Sequence, residues 1–597
     1  MNLVLWLTLL LPLQQALWID VPFVRQDKDG CGSASIWMVM KYWRPESPLD
    51  VATIQRQLYS REAGGIFTKD MVRYFESHAY RVFIFRGEWG DLEHHVSNGR
   101  PLIVTLKQDG RGMPLHYVVV AGIDPVQSLV LVNDPAQRKL LSMSRTEFEQ
   151  QWRTVDNWTL LALPELDLAS EAFRENHLSE SQEHLRAALR ADGADAYTNN
   201  FLAGIYYLQD NTEAALKYWN RAGKPEIQNI RIDPPLQTDP VLLDRAFAFS
   251  RGSILRLADF EETQARLTAL RIFPHYRLEL SPAGGERFDV TLRATERTGL
   301  NLPSWIRGLP FQTIRPEVWN IAGKAVNITS IFRWDADKRR AGIRLDAPLV
   351  GDPRLGIRLV LDRRDENWSS PSGGFHLKRR EADLEIQGLS GGRWSWTSGA
   401  TVSTRRLSDD ATGGTQLKYS GTITRTVVRD PTRDFRIDSS LKIETGKLFG
   451  SPPMRFSKIS GTASLRWRFL DAALQLGKAV GQTPFDERFV LGIDRDSNLW
   501  LRAHSATIHG RKNALNTSRS FVIANTDFQK TLSNTGWFHI SAGPFVDTGR
   551  WSRGSGWLVD AGIEMRLTVL GSFGLAVSYG RSLSDPHHNL FLRERSP

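Results

Sequence analysis

The amino-terminal part of the chain holds a cysteine in a context that favours a reactive thiol. Cys31 stands between Gly30 and Gly32 in the stretch VPFVRQDKDGCGSASIWMVMKYW. The two glycines predict a tight turn, and the apolar spacing of residues 33–43 predicts a buried helix after it. Cys31 then lies at the amino end of that helix, where unpaired N–H groups favour a thiolate.

A thiolate nucleophile also needs an imidazole for proton transfer and a group that orients the imidazole. His116 begins the Val-rich strand of MPLHYVVVAGID, and Asp134 follows the apolar strand of LVLVNDPA. A strand, a short turn and a second strand bring these two side chains to one edge of a sheet. Gln26, five residues before Cys31, could direct its amide N–H at a developing oxyanion, with the Cys31 backbone N–H as the second donor.

Cys31 is the only cysteine in the chain. An exported protein that used thiols for structure would carry them in pairs, so no disulfide framework is expected. The alternative to a nucleophile is a buried, inert thiol.

Four segments resemble the double-glycine leader peptidases, papain-like enzymes that process bacteriocin precursors in ABC exporters. They are residues 26–43, the LHYVVVAGI strand, the NDPA turn and the SRTEFEQQW segment, and together they span about residues 18–163. The resemblance implies a papain-like α+β domain. The exporters' ATPase and helical membrane domains have no counterpart in the residues that follow, which leaves the substrate open.

The same resemblance implies a role for each candidate residue. Cys31 is the nucleophile, His116 the general base and acid, Asp134 the orienting group and Gln26 the oxyanion donor. An active cysteine peptidase is therefore predicted. Two alternatives stay open: a degenerate version that only binds a peptide, and a related Cys-His-Asp acyl transfer.

Composition and charge exclude several classes of protein. At roughly 150 residues per domain, 597 residues predict about four domains, and 41% hydrophobic with 24% charged residues indicates a folded chain. Beyond residues 1–16 no apolar run approaches the roughly 20 residues of a membrane-spanning helix, which excludes a helical transporter. The net charge of +10 is spread along the chain, so no nucleic-acid partner is expected.

Residues 1–16, MNLVLWLTLLLPLQQA, have the length and apolar character of a signal peptide. The alternative is a buried strand or helix. We expect export, and hence a peptidase-like domain over residues 17–163.

Residues 164–225 are rich in helix formers. A shift of 34 residues aligns Ala169 with Ala203 and Leu185 with Trp219, which resembles tetratricopeptide repeats. The alternative is an ordinary helical linker.

Residues 226–298 predict the order strand, helix, helix, strand, strand. This order, with the phrase FSRGSILRLADFEETQARLTALRIFPHYRLEL, resembles a POTRA domain, the periplasmic module that precedes outer-membrane assembly barrels. Its exposed strand edge would suit client binding by β-augmentation. The alternative for the two helices is a DNA-binding helix-turn-helix, which the flanking strands disfavour.

Residues 299–597 contain many short segments of strict alternation between apolar and polar residues. In one of them, Ala463, Leu465, Trp467 and Phe469 alternate with Ser464, Arg466 and Arg468. In lipid this pattern predicts a closed antiparallel barrel with a polar lumen, of up to about 16 strands. In water it fits a β-sandwich or a propeller equally well.

The stretches RFVLGIDRDSNLWLRAH, GPFVDTGRW and GWLVDAGIEMRLTVLGSFGLAVSYG resemble the surface-antigen barrel of the BamA-like outer-membrane assembly and secretion family. The resemblance implies that Arg502 lies at the tip of an inward loop and contacts a carboxylate on the barrel wall. The tip, residues 501–504, lacks the family's glycine and aromatic residue.

These parts predict a multidomain outer-membrane protein with its amino-terminal domains in the periplasm. The expected partners are a peptide or protein client, outer-membrane lipid, and proteins that bind the helical repeats or the POTRA-like strand edge. A non-enzymatic assembly or secretion platform and a soluble secreted enzyme with a β-sandwich are the alternatives. No cofactor or metal is expected, because the pairs His94-His95 and His587-His588 lack further ligands at metal spacing.

Overall fold

The computed structural model describes residues 17–595 except 108–114, 125–126, 303–304, 306–307, 372, 409–412, 451, 498, 536–537, 552–555 and 570–572. The expected signal peptide, 1–16, lies outside the described residues. The chain divides into two units, residues 1–205 and 206–597. In the part of the chain that the structure describes, no helix combines the length and the apolar character needed to cross a membrane.

The first unit contains nine strands and seven complete helices in its described residues. The strands are β1 (Leu17–Trp18), β2 (Tyr59–Ser60), β3 (Gly65–Ile66), β4 (Tyr80–Arg86), β5 (Leu102–Leu106), β6 (His116–Asp124), β7 (Leu129–Asn133), β8 (Leu141–Ser144) and β9 (Trp158–Pro164). The helices are α1 (Cys31–Trp43), α2 (Val51–Leu58), α3 (Thr68–Ser77), α4 (Trp89–Ser97), α5 (Arg145–Arg153), α6 (Glu165–Arg174) and α7 (Leu178–Ala191).

Seven of these strands form an antiparallel sheet in the order β4-β9-β5-β6-β7-β8, with β1 paired to β6. The central strand β6 is buried on both faces, because successive residues point to opposite sides. Val119 and Ala121 join a core with Ile36 of α1, whereas Val118 and Val120 join a second core with the aromatic residues of α5. Because helices cover both faces of the sheet at β6, nearly every residue of this strand is apolar.

The helical stretch continues through α8 (Ala196–Leu208), which crosses the boundary between the units, and α9 (Thr212–Trp219). Helices α6 and α7 pack through small residues: the Ser181 hydroxyl donates to the carbonyl of Ala169 over 2.7 Å, and both residues are buried. Small residues at this contact let the two backbones approach closely.

The second unit then shows the predicted order strand, helix, helix, strand, strand. Its elements are β10 (Glu226–Ile232), α10 (Pro240–Ala246), α11 (Leu257–Leu270), β11 (His275–Gly284) and β12 (Arg287–Thr295). Strand β10 pairs parallel with β12, and β12 pairs antiparallel with β11. Apolar residues of α10 and α11 are buried, as expected of helices that cover one face of a sheet.

A 20-stranded sheet, counted over the described residues, makes up most of the second unit. Its fourteen strands of eight or more residues are β16 (Val326–Trp334), β17 (Lys338–Leu349), β18 (Asp352–Ser370), β19 (Gly373–Ser390), β20 (Trp394–Leu407), β21 (Gly414–Asp430), β22 (Phe435–Gly450), β23 (Met454–Trp467), β24 (Leu470–Gly481), β29 (Ser520–Phe528), β31 (Phe538–Trp551), β32 (Leu558–Val569), β33 (Phe573–Ser582) and β34 (His588–Arg595). The short ones are β13 (Gly299–Leu300), β14 (Thr313–Ile314), β15 (Glu317–Ile321), β26 (Thr507–Ile508), β27 (Arg511–Asn513) and β30 (Lys530–Asn534). The pair β25 (Phe489–Val490) and β28 (Thr517–Ser518) stands apart.

The long strands carry apolar residues on the outside and charged residues on the inside. In β22, Leu441 and Ile443 are exposed on the outer face. The next residue, Glu444, points inward, where it is buried and forms ion pairs with lysines of the neighbouring strands. Trp467 and Phe469, taken from the alternating segment, are also exposed. The distribution is inverted relative to a water-soluble sheet, where large aliphatic side chains face a core.

The sheet curves around the segment 482–519, the inward segment, which connects β24 with β29. Side chains or backbone groups of this segment bind residues on strands along the whole sheet. The partners are Arg333 on β16, Lys338 on β17, Glu366 on β18, Arg379 on β19, Arg405 on β20, Lys418 on β21, Lys458 on β23, Asn525 on β29, Asp547 on β31, Asp560 on β32 and Asn589 on β34. One segment reaches strands from β16 to β34 only if the sheet encloses it, which is the geometry of a barrel.

Candidate active site

Cys31 is the first residue of helix α1, and Gly30 caps the helix. The Ala34 N–H donates to the Gly30 carbonyl over 3.0 Å and closes the first turn. Close contacts favour glycine at both flanking positions: a Cβ on Gly30 would lie 3.1 Å from the Asp27 carbonyl oxygen, and one on Gly32 would lie 3.1 Å from the Ile66 Cβ. The thiol therefore lies at a helix amino end that the chain packs tightly.

His116 begins strand β6, in register with Leu106 of β5. Its Nε2–H donates to Oδ1 of Asp134 over 2.7 Å. Hydrogen bonding with Cys31 and the charge of its thiol also raise the pKa of His116, which places the thiol close to the imidazole that Asp134 holds. Because Nε2 is bonded to Asp134, Nδ1 is the ring nitrogen that is left to exchange a proton with Cys31.

Asp134 follows β7 and is buried, but both of its oxygens are bonded. Oδ1 also accepts from the Ala136 backbone N–H, and Oδ2 accepts from the Gln137 side-chain amide, each over 2.8 Å. These donors hold the carboxylate on the imidazole. Gln137 was not singled out in the sequence, although its position three residues after Asp134 in the same turn is the signal that could have identified it.

The charges of the site raise the pKa of His116 to about 9. Burial alone lowers that pKa, but hydrogen bonds to Asp134 and Cys31, together with their charges, outweigh it. For Asp134, burial raises the pKa, and the hydrogen bond and positive charge of His116 lower it further than burial raises it. His116 is thus an imidazolium near neutral pH, suited to give a proton to a leaving group.

Gln26 lies in the loop before α1, and its backbone N–H donates to the Pro135 carbonyl over 2.9 Å. This bond ties the loop that precedes Cys31 to the turn that follows Asp134. Gln26 also lines a cavity of about 180 Å³ with Gly30 and Ser33. Among the described residues, its buried Oε1 has no hydrogen-bond partner; this oxygen is an acceptor, so its spare bonding capacity is for a donor group.

Tyr117, the neighbour of His116, is a further residue near the thiol. Burial raises the pKa of Tyr117, its hydrogen bond with Thr68 lowers it, and the charge of Cys31 raises it again. The two hydroxyls are 3.1 Å apart. Nothing in the sequence distinguished Tyr117 from the other apolar residues of β6.

Arg502 lies in the inward segment and is buried against the wall of the sheet. Its Nη2 and Nε donate to the two oxygens of Asp547 over 2.7 and 2.9 Å, and Nη1 donates to Asp527 over 2.7 Å. The guanidinium also covers the ring of Phe545 at 3.5 Å from its centre. A bidentate pair with a buried carboxylate is a strong anchor, because either charge left alone would be costly.

The model of the Peptidase_C39 like family matches residues 18–159. That stretch is therefore a C39-like, cysteine peptidase-like domain. No curated protein matches the chain.

Solved structures of low identity resemble separate parts of the chain. CdiB from Escherichia coli is 14% identical, with 62% of this chain and 76% of that one covered and a TM-score of 0.42. BamA from Haemophilus ducreyi lacking POTRA domains 1-3 is 11% identical, with 62% and 83% covered and a TM-score of 0.36. The peptidase domain of Streptococcus ComA is 22% identical, with 24% and 97% covered and a TM-score of 0.20.

The predicted fold class is confirmed in its main features: a C39-like domain precedes a large antiparallel sheet in a multidomain chain. The boundaries predicted from the sequence remain predictions.

Proposed function

We propose that the chain is an outer-membrane protein whose amino-terminal domain binds and cleaves a peptide segment of a client that the barrel assembles or secretes. The observation that carries the peptidase assignment is the pair of His116 and Asp134, with Cys31 close enough to raise the pKa of His116, within a C39-like domain. The same three residue types perform acyl transfer on unrelated folds, and they are recognised by their geometry.

In the proposed reaction the Cys31 thiolate attacks the scissile carbonyl carbon and forms a C–S bond. The oxyanion of the tetrahedral intermediate accepts hydrogen bonds from the Cys31 backbone N–H and the Gln26 amide. His116 gives its proton to the amine as the C–N bond breaks, and a thioester remains. Water, deprotonated by His116, then attacks the thioester and releases the carboxylate product and the thiol.

Asp134 acts throughout as the orienting group. Its bond with Nε2 keeps Nδ1 directed at the sulfur, and the bonds from Ala136 and Gln137 prevent the carboxylate from turning away. Such support holds the imidazole in the productive orientation and stabilises its charged form.

The apolar outer face of the sheet supports a location in lipid. Exposed aliphatic and aromatic side chains recur on successive long strands, and the examples are Ile343, Leu361, Leu384, Val402, Ile423, Ile443, Leu474 and Ile563. A band of this kind facing water would be an aggregation hazard, whereas in a bilayer it is the expected lipid-facing surface. We place the C39-like domain in the periplasm.

Cleavage by purified protein in detergent tests the enzyme assignment. Wild type and Cys31→Ala are incubated with a peptide library that contains Gly-Gly sites, and products are identified by mass spectrometry. We expect cleavage by wild type alone. Cleavage by both proteins would exclude Cys31 as the nucleophile, and retention of peptides without cleavage by either would identify a degenerate, peptide-binding domain.

The only cysteine provides a second test that needs no substrate. Iodoacetamide at neutral pH labels Cys31 alone, and a thiolate paired with His116 reacts quickly. We expect His116→Gln to slow labelling at least tenfold, while His94→Gln, at an exposed surface position, leaves the rate unchanged. Equal rates in wild type and His116→Gln would contradict the ion pair.

A further inference from the structure

Two segments far apart in the sequence bring two histidines and an aspartate together at one end of the barrel. His504 belongs to the inward segment, and Asp585 and His587 belong to the connection between β33 and β34. One ligand atom from each of the three side chains lies within 4.8 Å of the others. This cluster is separate from the candidate active site, which lies in the other unit.

The distances in the cluster lie within a few tenths of an ångström of the spacing of ligand atoms around a small metal ion. Nε2 of His504 lies 3.0 Å from Oδ2 of Asp585, and Nδ1 of His587 lies 2.8 Å from Oδ1. Ligand atoms bound tetrahedrally to Zn²⁺ at about 2.0–2.1 Å are about 3.3 Å from one another. Shifts of a few tenths of an ångström at each contact between the carboxylate and an imidazole would admit the ion.

A buried carboxylate holds His504 from behind. Oδ2 of Asp560 accepts from Nδ1 of His504 over 3.1 Å and from the Ala503 backbone N–H over 2.8 Å. Asp560 is fully buried, and its Oδ1 has no partner among the described residues. A carboxylate bound to the remote nitrogen of a metal-binding histidine fixes the ring and directs its other nitrogen at the ion.

The charges also favour a cation. Asp560 and Asp585 flank opposite nitrogens of the His504 imidazole, so these three side chains carry two negative charges against at most one positive charge. Asp585 is partly exposed and His587 is exposed, which leaves a route for an ion from solvent. Two imidazoles with one carboxylate suit Zn²⁺ and exclude a dedicated Mg²⁺ or Ca²⁺ site, because those ions prefer oxygen ligands.

We propose that His504, Asp585 and His587 bind one Zn²⁺ ion, with Asp560 as the positioning residue behind His504. The ion fastens the connection between the last two strands to the inward segment, two residues from Arg502. Its role is structural: it locks the tip of the inward segment against the wall of the barrel. No local sequence pattern indicated this site, since His587 is 83 residues from His504.

Metal binding by the full chain in detergent micelles, with any affinity tag removed, tests the proposal. Co²⁺ is titrated as the spectroscopic probe, and Zn²⁺ is then added to displace it. We expect one equivalent of Co²⁺ with visible absorption typical of four or five ligands, and its loss on addition of Zn²⁺. The variant His587→Gln should weaken binding at least tenfold, and Asp560→Asn about tenfold through the orientation of His504.

His588→Gln is the matched control, because His588 is the adjacent exposed histidine and is not part of the cluster. It should bind Co²⁺ as wild type does. Absence of a Co²⁺ signal in wild type, or equal weakening in His588→Gln and His587→Gln, would overturn the proposal. Heat-modifiable gel migration of every variant verifies that the barrel is folded, so that a loss of binding reports on the site.

Discussion

Nε2 of His116 lies 2.7 Å from Oδ1 of Asp134, and the two residues occupy the facing ends of neighbouring strands. Strand β6 begins at His116, and strand β7 ends one residue before Asp134. Because β6 and β7 are antiparallel, the start of one lies beside the end of the other, and the hydrogen bond follows from their register.

Loss of the Asp134 charge should impair catalysis far more than folding. In Asp134→Asn the amide still occupies the site but no longer stabilises the imidazolium, and we expect kcat to fall by a factor of about 10²–10⁴. Gln137→Ala removes only one supporting bond and should cost about tenfold. Peptide cleavage rates of the two variants, with circular dichroism as the folding control, measure the difference. Equal rates in Asp134→Asn and wild type would remove Asp134 from the mechanism.

The oxyanion role of Gln26 predicts a specific kinetic change. Gln26→Ala should lower kcat by about 10²–10³ and leave KM nearly unchanged, because the bond is made mainly in the transition state. The backbone bond to Pro135 does not depend on this side chain, so the loop should keep its position. A variant with raised KM and unchanged kcat would instead assign Gln26 to substrate binding.

The raised pKa of His116 predicts how the stability of strand β6 depends on pH. Since the folded pKa, about 9, exceeds the unfolded value of about 6.5, the stabilisation is complete below pH 6.5 and is lost as pH rises through 9. Hydrogen exchange of peptides covering β6 measures the opening free energy. The difference between wild type and His116→Gln should be large at pH 6 and small at pH 9.5. A constant difference over this range would contradict the shift.

Arg502 predicts a large effect on the barrel. Arg502→Gln leaves the buried Asp547 without its bidentate partner and should lower the free energy of unfolding by about 3–5 kcal/mol. Adding Asp547→Asn should restore part of the loss. Arg511→Gln, at an exposed ion pair of the same segment, is the control. The temperature of the heat-modifiable gel transition reports each change, and unaltered behaviour of Arg502→Gln would exclude Arg502 as an anchor.

The proposed location in lipid is tested by a charge on the outer face. At Ile443 a lysine would cost about 2–4 kcal/mol in a bilayer, whereas a surface substitution in water changes stability by about 0.5 kcal/mol at most. Ile254→Lys, at an exposed position outside the long strands, is the matched control. Equal stability of the two variants in lipid vesicles, or recovery of wild type in the soluble periplasmic fraction, would contradict the membrane assignment.

Local pattern predicted much of the fold. Alternation of residues on long strands and the strand-helix-helix-strand-strand order depend on neighbours in sequence, and both were predicted correctly. The bond between His116 and Asp134 was predictable for the same reason, because one turn separates their strands. For Cys31 the sequence supplied a resemblance, and the proximity of Cys31 to His116 depends on the packing of α1 on β6.

Contacts between residues far apart in the sequence could not be predicted from local sequence patterns. The inward segment binds Arg333 on one side and Asp547 on the other, and neither partner has a local signature. The cluster of His504 and His587 was missed in the same way: adjacent histidines at 587 and 588 suggested only a surface pair. Such contacts depend on how the sheet curves, and the alternation of apolar and polar residues along the strands does not determine that curvature.

The occupied interior of the barrel bears on transport. Ion pairs from Asp494, Asp496, Asp486 and Glu487 fasten the inward segment to many strands at once, so releasing it means breaking them together. At rest, planar bilayer recordings should therefore show a closed pathway with rare, brief currents. A polypeptide that crosses by this route must first displace the inward segment, with its own charged side chains replacing those of the segment in the ion pairs with the strands.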